Sequence, residues 1–127
     1  MAKRAPVECV ASHAISASQP SRPRHSIERA ANLFRALGEP SRLRLLSRLI
    51  DGSRCVGELA KAENEAMSTI SQRLRVLRAE NIVVRRRQGK HIHYGLVDRH
   101  ITNLVLNALA HADEVRESEA ERDQDQA

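Results

Sequence analysis

Ser68-Thr69-Ile70-Ser71-Gln72-Arg73-Leu74-Arg75-Val76-Leu77 carries apolar residues at Ile70, Leu74 and Leu77. That spacing predicts a helix over 66–80 with one buried side. Ser68, Thr69, Ser71, Gln72, Arg73 and Arg75 are left to face outward. Upstream, a short helix is predicted over 54–62, with Val56, Leu59 and Ala60 turned inward. Glu63-Asn64-Glu65 between them reads as a turn, because asparagine tolerates the left-handed conformation. After Asn81 the hydrophobic period falls to two. Residues 82–87 and 91–97 flank Gln88-Gly89-Lys90, the pattern of a β-hairpin. A helix-turn-helix followed by a hairpin is a winged helix, whose second helix enters the major groove of DNA. Gln72 and Arg73 have side chains able to make bidentate contacts to bases, while Ser and Thr suit phosphate or either base. Arg85, Arg87 and Lys90 of the hairpin would reach phosphates or the minor groove, adding affinity and salt dependence more than specificity.

Outward from this unit, Ser26 is placed to cap a helix in which Ile27, Ala30, Ala31, Phe34 and Leu37 recur at helical spacing. Gly38 suits its end, and Pro40 suits the first turn of the next helix, which carries Leu43, Leu45, Leu46, Leu49 and Ile50. Asp98 can cap a last helix over about 99–115 bearing Ile101, Leu104, Val105, Ala108 and Leu109. Residues 1–25 mix Ala, Ser, Pro, Arg and His and read as a flexible arm with one short helix near 9–17. Residues 26–115 form the DNA-binding and dimerisation domain, and 116–127 an acidic, disordered tail. The fold class is mainly α with a small β-hairpin wing, dimeric through its terminal helices.

Composition narrows the function. The chain has 127 residues, 41% of them hydrophobic but only 2% aromatic, so the core is built from Leu, Ile, Val and Ala. That disfavours a large aromatic-cored β-sandwich. No apolar run approaches the ~18 residues of a membrane span. Lys3 and Arg4 precede no apolar stretch, so the N-terminus is not a secretory signal. Cys9 and Cys55 are then expected reduced in the cytoplasm, as metal ligands or buried thiols. The formal charge of +5 is uneven. Acids crowd 113–127, whereas 73–90 holds Arg73, Arg75, Arg78, Arg85, Arg86, Arg87 and Lys90 against Glu80 alone. Such a cluster repels itself unless an anion is near, and nucleic-acid phosphate is the obvious one. The bland alternative is a solvated basic face.

Two sets of residues have metal-ligand spacing. His111 and Glu114 share a helix face, and Asp98 and His100 stand at that helix's start. His100 and His111 lie eleven residues apart on one stripe, which separates them by about 16 Å. One helix cannot close all four on one ion, but two copies packed antiparallel can. Each of two symmetric sites would have two nitrogens and two carboxylate oxygens, a set that fits tetrahedral Zn²⁺. The alternative is a capping aspartate and two ordinary histidines. In the second set, Cys55 and Glu58 share a face, and so do Cys9 and His13 if the arm is locally helical. Each pair is half a site, whose sulfur favours Zn²⁺ or Cd²⁺ over Mg²⁺ or Ca²⁺. Unrelated free cysteines are the alternative.

Together these features resemble the ArsR/SmtB family of metal-responsive repressors, over residues 27–114 and reaching Cys9 and His13. Leu37-Gly38-Glu39-Pro40-Ser41-Arg42-Leu43-Arg44-Leu45-Leu46 is similar to the family's signature. Cys55-Val56-Gly57-Glu58-Leu59-Ala60 resembles its metal-box helix, and 71–77 its recognition helix. Arg87-Gln88-Gly89-Lys90-His91-Ile92-His93-Tyr94 resembles its wing. Asp98-Arg99-His100-Ile101 with Asn107-Ala108-Leu109-Ala110-His111 resembles the cyanobacterial zinc sensors in particular.

The resemblance implies a cytoplasmic homodimer that sits on double-stranded operator DNA when metal-free and leaves when Zn(II) binds. Cd(II), Co(II) and Pb(II) are further ligands of this class. The regulated genes would serve metal efflux or sequestration. It further implies that Asp98 and His100 of one protomer join His111 and Glu114 of the other. Cys9 and His13 of one arm likewise join Cys55 and Glu58 of the partner's third helix. His111 would pass the signal through its second ring nitrogen to backbone near the recognition helix. Four departures stand out: Glu58 in place of Asp, Glu63 and Glu65 at turn positions that are usually apolar, Ala66 in place of a Ser or Thr cap, and Arg73 where many members have His.

The rival reading is a winged-helix regulator that answers a non-metal signal. A zinc enzyme is disfavoured, because there is no His-Glu-x-x-His and four protein ligands leave no open position for water. Neither a small organic substrate nor a membrane partner is expected.

Overall fold

The computed structural model describes residues 21–126, so the helix expected near 9–17, Cys9 and His13 lie outside the described residues. The chain divides into residues 1–31 and 32–127. The first described helix, α1 (Arg24–Leu37), crosses that boundary. It starts earlier than Ser26. The Pro23 carbonyl accepts from the N–H groups of Ser26 (3.1 Å) and Ile27 (3.3 Å), so Pro23, with its φ already fixed, takes the capping position.

In the second unit, α2 (Pro40–Arg48) begins with Pro40 in its first turn and Glu39 as its cap, whose carboxylate accepts from the Arg42 N–H at 2.9 Å. The Arg42 Nε then donates to the Ala36 carbonyl (2.8 Å), placing a cation at the C-terminal end of α1. A two-residue strand β1 (Arg54–Cys55) leads into α3 (Val56–Glu63). The reading of 54–62 as all helix is thus corrected at its start, where Arg54 pairs with Tyr94 and Cys55 with His93. Asn64 sits at φ 54°, and the Glu65 N–H reaches back to the Ala60 carbonyl (3.0 Å). This is the left-handed closure expected of the turn. Helix α4 (Met67–Ala79) ends the same way, with Asn81 at φ 58° and the Ile82 N–H donating to the Leu77 carbonyl at 2.9 Å.

Strands β2 (Val83–Gln88) and β3 (His91–Leu96) form the hairpin, with Gly89 in the left-handed region at its tip. The sheet is antiparallel in the order β1-β3-β2. Gly95 is buried where β1 approaches, and a Cβ there would lie 2.6 Å from the Ser53 Oγ. Helix α5 (Arg99–Gln126) begins at Asp98, whose Oδ1 accepts from the Ile101 N–H (3.0 Å). It does not stop near 115. The 116–126 segment is rich in Glu, Arg and Gln, which favour helix, and Arg122 donates to both the carbonyl and hydroxyl of Ser118.

The core is aliphatic, as composition requires. Leu45, Leu46, Ile70, Leu74, Leu77 and Ile82 are fully buried, and Ile101 and Val105 reach them from α5. Leu33, Ala36 and Leu37 supply the inward face of α1. Phe34, expected on that face, is 58% exposed, and Ile27 is 57% exposed. Leu106 and Val115 on α5 are exposed too. No helix among the described residues is long and apolar enough to cross a membrane.

Candidate functional site

Helices α3 and α4 with the turn between them make the helix-turn-helix. Ile70, Leu74 and Leu77 fix α4 against the core, and this aims the other side outward. Ser68, Gln72 and Arg75 are exposed there, and Thr69 and Ser71 are half-buried. Ala66 starts α4 with extended backbone and no side-chain hydrogen bond. On the hairpin, Arg85, Arg87 and Lys90 are exposed as expected. Arg78 on α4 and Arg86 on β2, which the sequence pattern did not assign, are exposed too, Arg86 on the sheet face opposite to Arg85 and Arg87.

Arg73 departs from expectation. Its guanidinium lies 3.3 Å from the Glu65 carboxylate, and its side chain is only 21% exposed. Rather than projecting outward, it braces the turn against α4. Glu65 therefore has a role that the sequence pattern did not reveal: it holds a residue that reads as a base contact. The available signal was the co-occurrence of two departures, an acid at 65 and an arginine at 73. Glu63 is likewise explained. Its carboxylate takes Arg48 at 2.7 Å and Arg44 at 3.1 Å, with its own side chain 6% exposed. Burial pushes this carboxyl up, but the two guanidinium groups outweigh burial and hold it below the ordinary range.

The expected metal ligands stand as pairs. Asp98 uses Oδ1 to cap α5, while its Oδ2 lies 3.7 Å from His100 Nδ1. His100 is 96% exposed, so the two donors point to solvent as a unit. His111 and Glu114 are exposed further along the same helix. Cys55 and Glu58 meet at the start of α3, where the Cys55 N–H donates to Glu58 Oε1 (3.1 Å). This bond chiefly, then the Cys55 thiol and the charges of Arg54 and His93, holds the Glu58 carboxyl below its ordinary value. Among the described residues, no group of three or more His, Cys, Asp or Glu is placed to hold a metal ion. Among the described residues the expected ligands thus come together only in pairs, in keeping with the distance between His100 and His111. The donor chemistry fits a borderline-soft divalent cation.

A depression of about 570 Å³ between α2 and α3 is lined by Arg44, Arg48, Arg54, Asp51, Glu58 and Glu63 among others. Charges of both signs offset one another and no aromatic ring lines it, unlike a pocket for an organic ligand.

A helix-turn-helix with a basic hairpin beside it defines a winged-helix DNA-binding module. Residues 39–84 match the bacterial regulatory protein family arsR. The chain is 38% identical over 92 residues to the HTH-type transcriptional repressor SmtB of Mycobacterium tuberculosis, covering 72% of this chain and 68% of that protein. It is 34% identical over 86 residues to a cadmium resistance transcriptional regulatory protein CadC homolog of Staphylococcus aureus, covering 67% and 71%. The fold superposes with a TM-score of 0.70 on the homodimeric winged helix-turn-helix DNA-binding domain of Mb0332 from Mycobacterium bovis, at 28% identity over 76% of this chain and 89% of that one. The chain belongs to the ArsR family: it is a winged-helix transcriptional regulator and not an enzyme.

Proposed function

We propose that this protein is a metal-responsive repressor. Metal-free, it holds double-stranded operator DNA as a homodimer, and it releases the DNA on binding Zn(II) or a related ion such as Cd(II), Co(II) or Pb(II). The observation that carries this reading is the pairing of Asp98 with His100, turned to solvent at one end of the described stripe on α5, with His111 and Glu114 exposed on the same helix. Each pair is too small a ligand set, and about 16 Å of helix keeps the two apart in one chain. Two antiparallel copies supply what each lacks.

The exposed Phe34, Leu106 and Val115 give such a dimer apolar surface to bury, and the homodimeric M. bovis relative supports the assembly. Gln72 and Arg75 would read bases, Ser68, Thr69 and Ser71 would take phosphate or base contacts, and Arg85, Arg87 and Lys90 would hold phosphate. Repression needs the two α4 helices one DNA turn apart. When bound, the ion supplies an electrophilic centre shared by both protomers. Asp98, His100, His111 and Glu114 then favour the dimer geometry that brings them together. If this geometry differs from the DNA-bound one, metal and DNA weaken each other's binding equally. Cys9 and His13 with Cys55 and Glu58 form a second such set in this reading. The relative named for cadmium resistance supports a soft-metal signal.

The test is fluorescence anisotropy on a duplex selected from random DNA by the metal-free protein. Zn²⁺ is expected to release the wild type and leave His111→Ala bound. Retention of wild type on DNA at saturating Zn²⁺ would leave a winged-helix regulator of some other signal.

A further inference from the structure

Cys55 and Glu58 meet at the start of α3, and His93 lies across the strand ladder from Cys55. Cys55 is the register partner of His93 in the β1–β3 ladder. Directly opposed residues of an antiparallel pair project to the same face, with Cβ atoms about 4.5–5.5 Å apart. The His93 imidazole thus rises from the same sheet face as the Cys55 thiol, and Glu58, which accepts from the Cys55 N–H, lies near enough for His93 to help lower its carboxyl. His93 is half-buried, and its ring meets that of His91 edge-on at 6.4 Å between centroids. Arg86, its partner on β2, is exposed and can turn to solvent.

We propose that His93 of the wing is a third ligand of the Cys55–Glu58 half-site, so that a soft divalent cation held there ties the wing directly to the helix-turn-helix. This rests on the reading of Cys55 and Glu58 as metal ligands. Thiolate, imidazole and carboxylate together suit Zn²⁺ or Cd²⁺. As the metal–sulfur bond forms, the Cys55 thiol proton leaves to solvent, and no redox step is needed. The three donors do not converge as they stand, since no three among the described residues are placed to hold an ion. Rotation of the His93 ring toward Cys55 supplies the missing convergence. β3 is the strand that carries the wing, and α3 is the first helix of the helix-turn-helix. A ligand set spanning both acts on the two DNA-facing parts at once, without passing through α5.

The experiment is a Co²⁺ titration followed by absorption, on full-length protein carrying His111→Ala to silence the α5 set. With His93 intact, a thiolate-to-cobalt charge-transfer band is expected, and Cys55→Ser should reduce it. Adding His93→Gln should weaken Co²⁺ binding by about tenfold or more and change the d–d spectrum, while a thiolate band remains. An unchanged affinity and d–d spectrum in His93→Gln overturns the role of His93 and leaves the Cys55 half-site standing. Absence of any band sensitive to Cys55→Ser overturns the half-site itself. Should His93→Gln fail to fold, imidazole NMR of the unsubstituted chain on adding Cd²⁺ decides: a His93 ring unmoved by the ion counts against the proposal.

Discussion

Glu65 and Arg73 form an ion pair at 3.3 Å across the turn of the helix-turn-helix, with the arginine side chain mostly covered. An acid in the turn and an arginine on the following helix each look out of place alone, and they compensate one another as a pair. Glu39 lies close enough for Arg73 to help lower its carboxyl, after the larger effects of the Arg42 and Ser41 N–H groups. Arg73 therefore sits among carboxylates rather than projecting freely toward a base.

Breaking this pair is expected to alter DNA reading more than stability. Glu65→Ala frees Arg73, and the loss in stability should stay at or below about 1 kcal/mol, because the pair is partly exposed. The selected DNA sequence should change, since a released guanidinium can reach guanine. Selection from random duplexes with wild type and Glu65→Ala checks this. Identical preferences would mean that Glu65 does not control what Arg73 reads.

Acid should destabilise the fold through a small set of carboxylates. Glu39, Glu58 and Glu63 are all held below the ordinary value of 4.5. A depressed folded pKa means that the unfolded chain takes up protons first. The stabilisation is then complete above the ordinary value and lost as pH falls through it toward the folded values. Thermal midpoints should be level from about pH 7 to 5.5 and fall below about pH 4.5. Glu63→Gln should cost roughly 1 kcal/mol at neutral pH and flatten part of the acid fall. An acid limb equally steep in the variant would remove Glu63 from the account.

What could be read in advance follows the range over which the physics acts. Ile70, Leu74 and Leu77 announce α4 by periodicity alone, Asn64 announces its turn by tolerating positive φ, and Asp98 announces the start of α5 by capping chemistry. Each depends on neighbours within one turn. The failures depend on more distant or competing partners. Ser26 lost the cap to Pro23, three residues earlier. Residues 54–55 became strand because β3 lies beside them, and two residues are too few to show a period. Phe34 has the spacing of a core residue, but Leu33, Ala36 and Leu37 take that place. Arg73 was drawn aside by an acid eight residues back. In the candidate site, spacing shows which residues pair along each helix, whereas the opposition of His93 to Cys55 is not visible there, because only the strand register brings them together.

The wing should contribute affinity without choosing sequence. Arg85→Ala, Arg87→Ala and Lys90→Ala are each expected to reduce the slope of log affinity against log salt by about 0.9 for every phosphate left without its cation. Gln72→Ala should instead cost about 1–3 kcal/mol on the preferred duplex and little on others. Binding isotherms over a range of salt on preferred and scrambled duplexes separate the two. A wing variant that changed preference but not slope would contradict this division.

The sharing of one ion between two chains is tested most directly by complementation. His100→Ala and His111→Ala are prepared separately in protein carrying Cys9→Ser and Cys55→Ser, so that only the α5 set remains. If Asp98 and His100 of one protomer join His111 and Glu114 of the other, neither variant alone has an intact site. After the two are mixed and exchange subunits, each heterodimer regains one, and tight Zn²⁺ binding should appear in the mixture. Tight binding by either variant alone, or none in the mixture once exchange is verified, would contradict the account.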